Sequence, residues 1–157
     1  MAAEQDPSVL SIYRLNVDGR DIGKFRSSGV LFSTGTGSTG WLYSARQITA
    51  REVNNLKHII GLQNDHSVEL IDYKMAKKIS QQTVYPPDSE KIYYFVREGF
   101  QETNISEGFC SNLLVTNEML RGMVKIDGHT TIPIGMGDQF SMKIDPKHHL
   151  RCLKLII

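Results

Sequence analysis

The residues with the clearest capacity for chemistry form the stretch STGTGSTGW at positions 33–41. Serine and threonine hydroxyls both donate and accept hydrogen bonds, and glycines let the backbone approach a ligand closely. Three interpretations are open. The stretch could be a tight turn whose hydroxyls cap a helix near Trp41. It could hold a phosphate on backbone amides, or it could hold a nucleoside with hydroxyls on the base and an aromatic side chain over a ring.

Neither of the common phosphate-binding motifs fits the stretch well. A Walker loop needs a lysine directly after its last glycine, and no lysine occurs between Lys24 and Lys57. Gly35, Gly37 and Gly40 have the Gly-x-Gly-x-x-Gly spacing of a Rossmann fingerprint, but the pattern downstream is not a βαβ unit. The spacing therefore leaves all three interpretations open.

The composition of the 157 residues is that of a globular protein, with 40% hydrophobic and 22% charged residues. The net charge of +1 gives no long-range field, so we expect neither nucleic acid nor a membrane as a partner. No apolar run approaches the roughly 18 residues needed to span a bilayer. The segment from Met1 to Ser8 lacks an apolar signal core, which by itself predicts a cytoplasmic location.

Cysteine and histidine spacing predicts neither a disulfide nor a metal site. Cys110 and Cys152 lie in strand-like apolar segments, which is typical of buried thiols. His148 and His149 are adjacent, so in a strand their side chains would point to opposite faces. We therefore expect an exposed loop after Pro146.

The elements that must position the stretch begin with a hairpin. Apolar and polar residues alternate over residues 9–17 and 20–26. Asp18-Gly19 lies between the two runs and is a strong signal for a tight turn with positive φ. A third short strand, from Val30 to Ser33, leads into the stretch.

Two helices are predicted after the stretch. Thr49 and Glu52 fit a capping box, and Gly61 is suited to end the helix. Between them, apolar residues recur at helical spacing: Val53, Leu56, Ile59 and Ile60. A second helix is predicted from about Ser67 to Ile79. Its apolar face consists of Val68, Ile71, Met75 and Ile79, and its solvated face of Lys74, Lys77 and Lys78.

Strand patterns resume after a break at Tyr85-Pro86-Pro87. Turn residues such as Asp127-Gly128 separate the predicted strands, which cover residues 92–97, 108–116, 123–127, 139–144 and 150–157. The sum is a mostly β, α+β fold: an antiparallel β-sandwich with a helical pair inserted at about 41–80. We expect a single domain over residues 1–157.

Several segments together resemble the NAD kinase family. The stretch 33–41 is similar to the family signature Ser-Thr-Pro-Thr-Gly-Ser-Thr-Ala-Tyr, and its glycine for proline and tryptophan for tyrosine resemble the mitochondrial branch more closely. The hairpin at Asp18-Gly19, the run YPPDSEKIYYFVR at 85–97 and the segment MVKIDGHTTIPIGMGD at 123–138 also resemble family segments. The resemblance covers nearly the whole chain.

The resemblance implies the C-terminal domain of such a kinase, a β-rich domain that binds the NAD whose adenosine ribose 2′-hydroxyl is phosphorylated. Ser28 stands where most of the family has an aspartate on the nicotinamide side. The implied NAD-binding residues are Thr36, Gly37, Ser38, Thr39, Gly40, Trp41 and Ser44, with Ser28 and Asp127 as further candidates.

The resemblance also implies individual roles. Thr36 and Thr39 would hydrogen-bond around the adenine, and Gly40 would present its backbone to the dinucleotide. Trp41 would cover a ring, and Ser44 would lie toward the nicotinamide. For the full enzyme the resemblance implies ATP and Mg²⁺, a homodimer and a mitochondrial location.

The donor side of the reaction is not found in the sequence. The family motif Gly-Gly-Asp-Gly-Thr, which carries the catalytic aspartate and gathers the ATP phosphates, is absent, and the only Asn-Glu pair is Asn117-Glu118, late and out of order. Phosphoryl transfer depends on bringing metal, phosphate and hydroxyl together. We therefore expect no catalytic residue and no metal ligand here, a missing N-terminal kinase domain, and no activity from the chain alone.

Two other hypotheses stand beside this one. The chain could be a non-catalytic nucleotide-binding or structural β domain that acts through partner subunits. A lipid kinase of the diacylglycerol type also has a β-sandwich half, but the Thr-Gly-Ser-Thr signature and the lack of an apolar patch for acyl chains speak against it.

Overall fold

The computed structural model describes residues 1–62, 67–100 and 106–148. The chain divides into two compact units: Met1–Val30 with the chain from Glu90 onward, and Leu31–Ser89. The prediction of one domain over residues 1–157 stays a prediction.

The first unit is built from strands, with the end of β4 continuing into the second. The strands are β1 (Ala2–Glu4), β2 (Ser11–Val17), β3 (Arg20–Ser27), β4 (Gly29–Ser33), β5 (Ile92–Arg97), β6 (Glu107–Cys110), β7 (Asn112–Asn117), β8 (Gly122–Ile126), β9 (Thr130–Ile134) and β10 (Gln139–Lys143). They form a six-stranded sheet in the order β6-β5-β4-β1-β8-β9 and a four-stranded sheet in the order β10-β7-β2-β3. Antiparallel pairs include β1 with β4 and β8, β2 with β3 and β7, and β5 with β6. The predicted antiparallel β-sandwich is confirmed.

The hairpin predicted around Asp18-Gly19 joins β2 to β3. Both turn residues have positive φ, 49° and 85°, as a tight turn between twisted strands requires. Alternation along β2 buries Tyr13 and Leu15. The Tyr13 ring stacks on Phe25 of β3 at a centroid distance of 6.0 Å. The alternation of apolar and polar residues along β2 therefore matches the residues that are buried in the core.

The single strand predicted over 108–116 is wrong, because the segment forms two strands in different sheets. β6 pairs with β5, whereas β7 pairs with β2 and β10. The break lies at Ser111. The backbone N–H groups of Ser111 and Asn112 donate to Asp18 Oδ1 at 2.9 and 2.8 Å, so the hairpin turn holds the chain where it changes sheet.

Two strands were not predicted. β1 is only three residues long, but Ala2 and Ala3 are buried where β1 pairs with β4 and β8. β9 contains Pro133, which cannot donate to a ladder and is tolerated here on an edge strand. The strand predicted over 150–157 lies outside the described residues.

The second unit holds α1 (Trp41–Ala45), α2 (Ala50–Ile59) and α3 (Leu70–Gln81). The predicted capping box is confirmed: Glu52 N donates to Thr49 Oγ1 at 3.2 Å, and Thr49 N donates to Glu52 Oε2 at 2.6 Å. The predicted start of the second helix at Ser67 is wrong by three residues. Glu69 N donates to Asp72 Oδ2 at 2.8 Å, which makes Glu69 the N-cap of α3.

The apolar residues of the two helices are largely exposed. α2 buries Ala50, Val53 and Asn54, and α3 buries Asp72, Ala76 and Ser80. Exposed apolar residues of these segments include Leu56, Ile59, Ile60, Val68, Ile71, Met75 and Ile79. Lys74, Lys77 and Lys78 are exposed as predicted. Within the described ranges, the helices are too short or too polar to cross a membrane.

Cys110 is a buried free thiol, as predicted. Burial raises its pKa to about 11, and its Sγ donates to Ile92 O at 3.6 Å. Cys152 and His149 lie outside the described residues, and His148 is exposed.

Candidate functional site

The stretch 33–41 forms the connection from β4 to α1 in the second unit. Thr36–Thr39 is a single turn of 3-10 helix, and α1 begins directly after it at Trp41. Ser38 N donates to Gly35 O at 3.2 Å, and Gly40 N donates to Gly37 O at 3.1 Å. The turn is therefore made by the backbone of the stretch itself, in agreement with the interpretation of a tight turn before a helix.

Gly35 is required by packing. A Cβ on this residue would lie 1.9 Å from Pro86 O and 2.8 Å from Pro87 Cα, far inside contact distance. Its φ is −54°, so backbone strain is not the reason for glycine here. The first glycine of the stretch thus serves the close approach of the Pro86-Pro87 backbone.

Ser38 faces inward and is fully buried. Its Oγ donates to Gly35 O at 2.7 Å and accepts a hydrogen bond from Tyr85 N at 3.2 Å. The Tyr85 hydroxyl donates to Ser33 O at 2.6 Å. The hydroxyl of Ser38 is therefore engaged with the backbone on the inner side of the turn.

The other predicted side chains of the stretch, and that of Ser44 in α1 just after it, face outward. Thr36, Thr39 and Ser44 are exposed, and the Trp41 side chain is 50% exposed. The internal hydrogen bonds of these hydroxyls are long: Thr39 Oγ1 to Thr36 O is 3.5 Å, and Ser44 Oγ to Gly40 O is 3.4 Å. Hydroxyls held this weakly are free to exchange these bonds for bonds to a ligand.

The stretch and its neighbours in sequence contribute no charged side chain to this outer surface. No ionisable Asp, Glu, Lys, Arg or His occurs between Arg26 and Arg46. Exposed hydroxyls beside a half-exposed indole suit a ligand with flat rings and polar edges, because the ring stacks while the edges hydrogen-bond.

The two further candidates lie in the first unit. Ser28 N donates to Arg97 O at 3.1 Å, and the Ser28 hydroxyl donates to the Glu98 carboxylate. Asp127 is exposed in the turn between β8 and β9 with φ 48°. The structure thus brings together residues 36–44 in the second unit, and places Ser28 and Asp127 in the first.

A supporting segment was missed from the sequence. Tyr85 and Pro86 contact the inner side of the stretch, whereas their sequence indicated a break between helix and strand and a family resemblance, but not this contact. The separation of 47 residues between Ser38 and Tyr85 leaves no local signal for this contact. Among residues that the structure describes, His, Cys, Asp and Glu side chains do not gather in a group of three able to hold a metal.

The fold is that of the NAD kinases. The structure of an NAD kinase from Archaeoglobus fulgidus in complex with ATP matches with a TM-score of 0.59 and 18% identity, over 92% of this chain and 43% of that one. The yeast NADH kinase complexed with NADH matches with a TM-score of 0.59 and 16% identity, over 94% of this chain and 34% of that one. At these identities the likeness establishes the fold.

Sequence comparison points to one branch of these proteins. The chain is 27% identical over 152 residues to NAD kinase 2, mitochondrial, of Mus musculus, and 27% identical over 153 residues to the Homo sapiens protein of the same name. Each match covers 92% of this chain and 34% of the relative, so the chain spans about a third of their length. No protein-family model matches the sequence. The resemblance to the NAD kinase family, and to its mitochondrial type, is confirmed.

Proposed function

We propose that this chain is the NAD-binding C-terminal part of an NAD kinase, an enzyme that converts ATP and NAD to ADP and NADP. The observation that carries the proposal is the exposure of Thr36, Thr39 and Trp41 in the signature-like stretch, and of Ser44 directly after it. The fold around them is shared with NAD kinases. The acceptor would be the 2′-hydroxyl of the adenosine ribose.

The outer surface of the stretch would hold the nucleotide. Thr36 and Thr39 offer hydroxyls to the edge of the adenine, and Trp41 covers a ring. Gly37 and Gly40 leave the backbone open to the dinucleotide, and Ser44 points to its nicotinamide side. Such contacts are mostly neutral and hydrogen-bonded, and each net hydrogen bond contributes about 0.5–1.5 kcal/mol.

Ser38 takes a different part in this proposal. Its side chain is buried and bonded to Gly35 and Tyr85, so it supports the surface from below. Ser28 and Asp127, in the first unit, stay candidate NAD contacts, and Ser28 stands where most of the family has an aspartate on the nicotinamide side.

The transfer itself needs groups beyond those of this chain. Moving the γ-phosphoryl group of ATP to the 2′-oxygen requires charge stabilisation on the phosphate and acceptance of the hydroxyl proton. No Asp, Glu, Lys, Arg or His lies between Arg26 and Arg46, and we assign ATP and Mg²⁺ to no residue of this chain. We therefore propose that a separate N-terminal kinase domain supplies the donor side, and that the isolated chain is inactive.

We also propose a homodimer and a mitochondrial location. Exposed apolar side chains on α2, such as Leu56 and Ile59, favour association, because contiguous apolar surface is costly to leave in water. The location follows the names of the relatives. The alternative function is a non-catalytic nucleotide-binding or structural β domain working through partner subunits, favoured by the missing donor-side motif.

The test of the proposed function is a titration of the chain with NAD. Trp41 is the only tryptophan, so its fluorescence reports directly on the stretch. We expect a saturable change with NAD, and no NADP formation when ATP and Mg²⁺ are added. If neither fluorescence nor calorimetry shows saturable binding of NAD, the proposed function is wrong and the alternative of a structural β domain is favoured. NADP formation by a contaminant-free sample would disprove the assignment of the donor side to another domain.

A further inference from the structure

Two segments of the second unit meet on the inner side of the stretch. The Tyr85 hydroxyl donates to Ser33 O at 2.6 Å, at the end of β4. The Tyr85 backbone N–H donates to Ser38 Oγ at 3.2 Å, and this oxygen donates to Gly35 O at 2.7 Å. One residue therefore contacts the stretch at its start and in its 3-10 turn.

Burial along the stretch alternates between two sides. Ser33, Gly35 and Ser38 are buried on the side of Tyr85 and Pro86, whereas Thr34, Thr36 and Thr39 are exposed. Pro86 O fills the space that a Cβ of Gly35 would need. The inner contacts are therefore made by the buried residues of the stretch, and the threonine hydroxyls lie on the opposite, exposed side.

We propose that Tyr85 and Ser38 are positioning residues that hold the stretch 33–41 in its ligand-binding conformation before the ligand arrives. The inference rests on the proposed function for its ligand, NAD. Glycines and small hydroxyl residues lose much conformational freedom when they are ordered. A stretch that is already ordered by Tyr85 avoids that loss at the moment of binding, which raises affinity.

The experiment compares Tyr85→Phe with Tyr73→Phe in the full chain. Tyr85→Phe removes only the hydroxyl that reaches Ser33 O, and Tyr73 is an exposed tyrosine of the same unit on α3. Ser38→Ala is the second variant, since it removes the oxygen that links Gly35 to Tyr85. Acrylamide quenching of Trp41 fluorescence without nucleotide reports on order in the stretch, and the NAD dissociation constant reports on binding.

We expect Tyr85→Phe and Ser38→Ala to increase the acrylamide quenching of Trp41. Tyr85→Phe removes one hydrogen bond and Ser38→Ala removes two. We also expect NAD binding to weaken about two- to twelve-fold in Tyr85→Phe, the effect of one lost hydrogen bond, and at least as much in Ser38→Ala. Tyr73→Phe should change neither the acrylamide quenching of Trp41 nor the affinity for NAD. Far-UV circular dichroism should remain that of the unchanged chain, which separates a loosened stretch from a general loss of structure. If Tyr85→Phe does not fold, Ser38→Ala decides the same question.

The two readouts distinguish the failure of this inference from that of the proposed function. If the unchanged chain does not bind NAD, the proposed function fails, and the inner contacts are still judged by quenching. Quenching and NAD affinity equal to those of Tyr73→Phe would overturn the inference. Increased quenching with unaltered NAD affinity would also overturn it, because the contacts would then serve only the fold.

Discussion

Lys57 Nζ lies 2.9 Å from Asp72 Oδ1, and this ion pair joins α2 to α3 around a fully buried carboxylate. The same side chain accepts a hydrogen bond from Glu69 N at 2.8 Å. Asn54, also buried, donates to Ser67 O at 2.7 Å. The two helices therefore meet through polar groups that satisfy one another, while much of their apolar surface is exposed.

The buried carboxylate of Asp72 predicts that the stability of the chain decreases in acid. The hydrogen bond from Glu69 N, and next the one from Lys57, hold the pKa of Asp72 below its usual 3.8. A lowered pKa means that the stabilisation is complete above the unfolded-state pKa and is lost as pH falls through the folded-state pKa. We expect the free energy of unfolding to fall in this acid range, and to fall less steeply in Asp72→Asn.

Urea unfolding followed by circular dichroism, from neutral pH to about pH 2, measures this dependence. Asp88→Asn is the matched control, since Asp88 is an exposed aspartate of the same unit. Identical acid profiles for Asp72→Asn and Asp88→Asn would contradict the prediction.

Trp41 and Thr39 should carry much of the binding of NAD. Trp41→Ala removes a stacking contact of about 0.5–1.5 kcal/mol beyond simple area loss. Thr39→Val keeps the shape and removes a hydrogen bond of about 0.5–1.5 kcal/mol net. Each change should weaken NAD binding about two- to twelve-fold with the fold intact. Calorimetric titration is the measurement, because it does not depend on the tryptophan.

Thr116→Val is the control for the threonine variant, because Thr116 lies on β7 of the first unit. It should bind NAD as the unchanged chain does. If Trp41→Ala and Thr39→Val both bind NAD normally but unfold more easily, the stretch is a structural turn and the nucleotide site lies elsewhere.

The glycines of the stretch should differ in their tolerance of alanine. Gly35→Ala places a Cβ against Pro86 O and should destabilise the chain by about 1–3 kcal/mol, the usual cost of overpacking. At Gly40 the nearest atom to a new Cβ is Gly37 O at 3.5 Å, so Gly40→Ala meets no such clash and should destabilise the chain less than Gly35→Ala does. Denaturant unfolding of the two variants tests this difference. Equal stabilities would show that the approach of Pro86 to Gly35 is easily relaxed.

The exposed apolar side of α2 should mediate self-association. Leu56 and Ile59 line a shallow groove together with Ile48, Glu52 and Asn55. We expect Leu56→Glu and Ile59→Glu to shift the chain toward monomer in light scattering at tens of micromolar. Leu120→Glu is the control, because Leu120 is a highly exposed leucine of the first unit. An unchanged chain that is already monomeric at that concentration would refute this prediction.

Local sequence was sufficient to predict a structural element wherever the residues that stabilise the element are close to one another along the chain. The turn at Asp18-Gly19 follows from residues that tolerate positive φ. The start of α2 follows from Thr49 and Glu52, which are three residues apart. The stretch 33–41 was likewise recognisable as a candidate site from its residues, since a run of hydroxyls and glycines cannot form a core.

Tertiary structure decided what depends on partners far apart in the sequence. The Asp18 carboxylate accepts a hydrogen bond from Ser111 N, 93 residues away, at the point where β6 ends and β7 begins. No local sequence pattern encodes this contact. Tyr85 reaches Ser38 across 47 residues and so determines that Ser38 faces inward while Thr39 faces outward. On α3 the buried residues are Asp72, Ala76 and Ser80, whereas Ile71 of the predicted apolar face is exposed. Periodicity specifies which residues share a helix face but not what that face meets. The residue types of the candidate site were therefore readable from the sequence, whereas the burial of Ser38 depends on its long-range hydrogen bond to Tyr85.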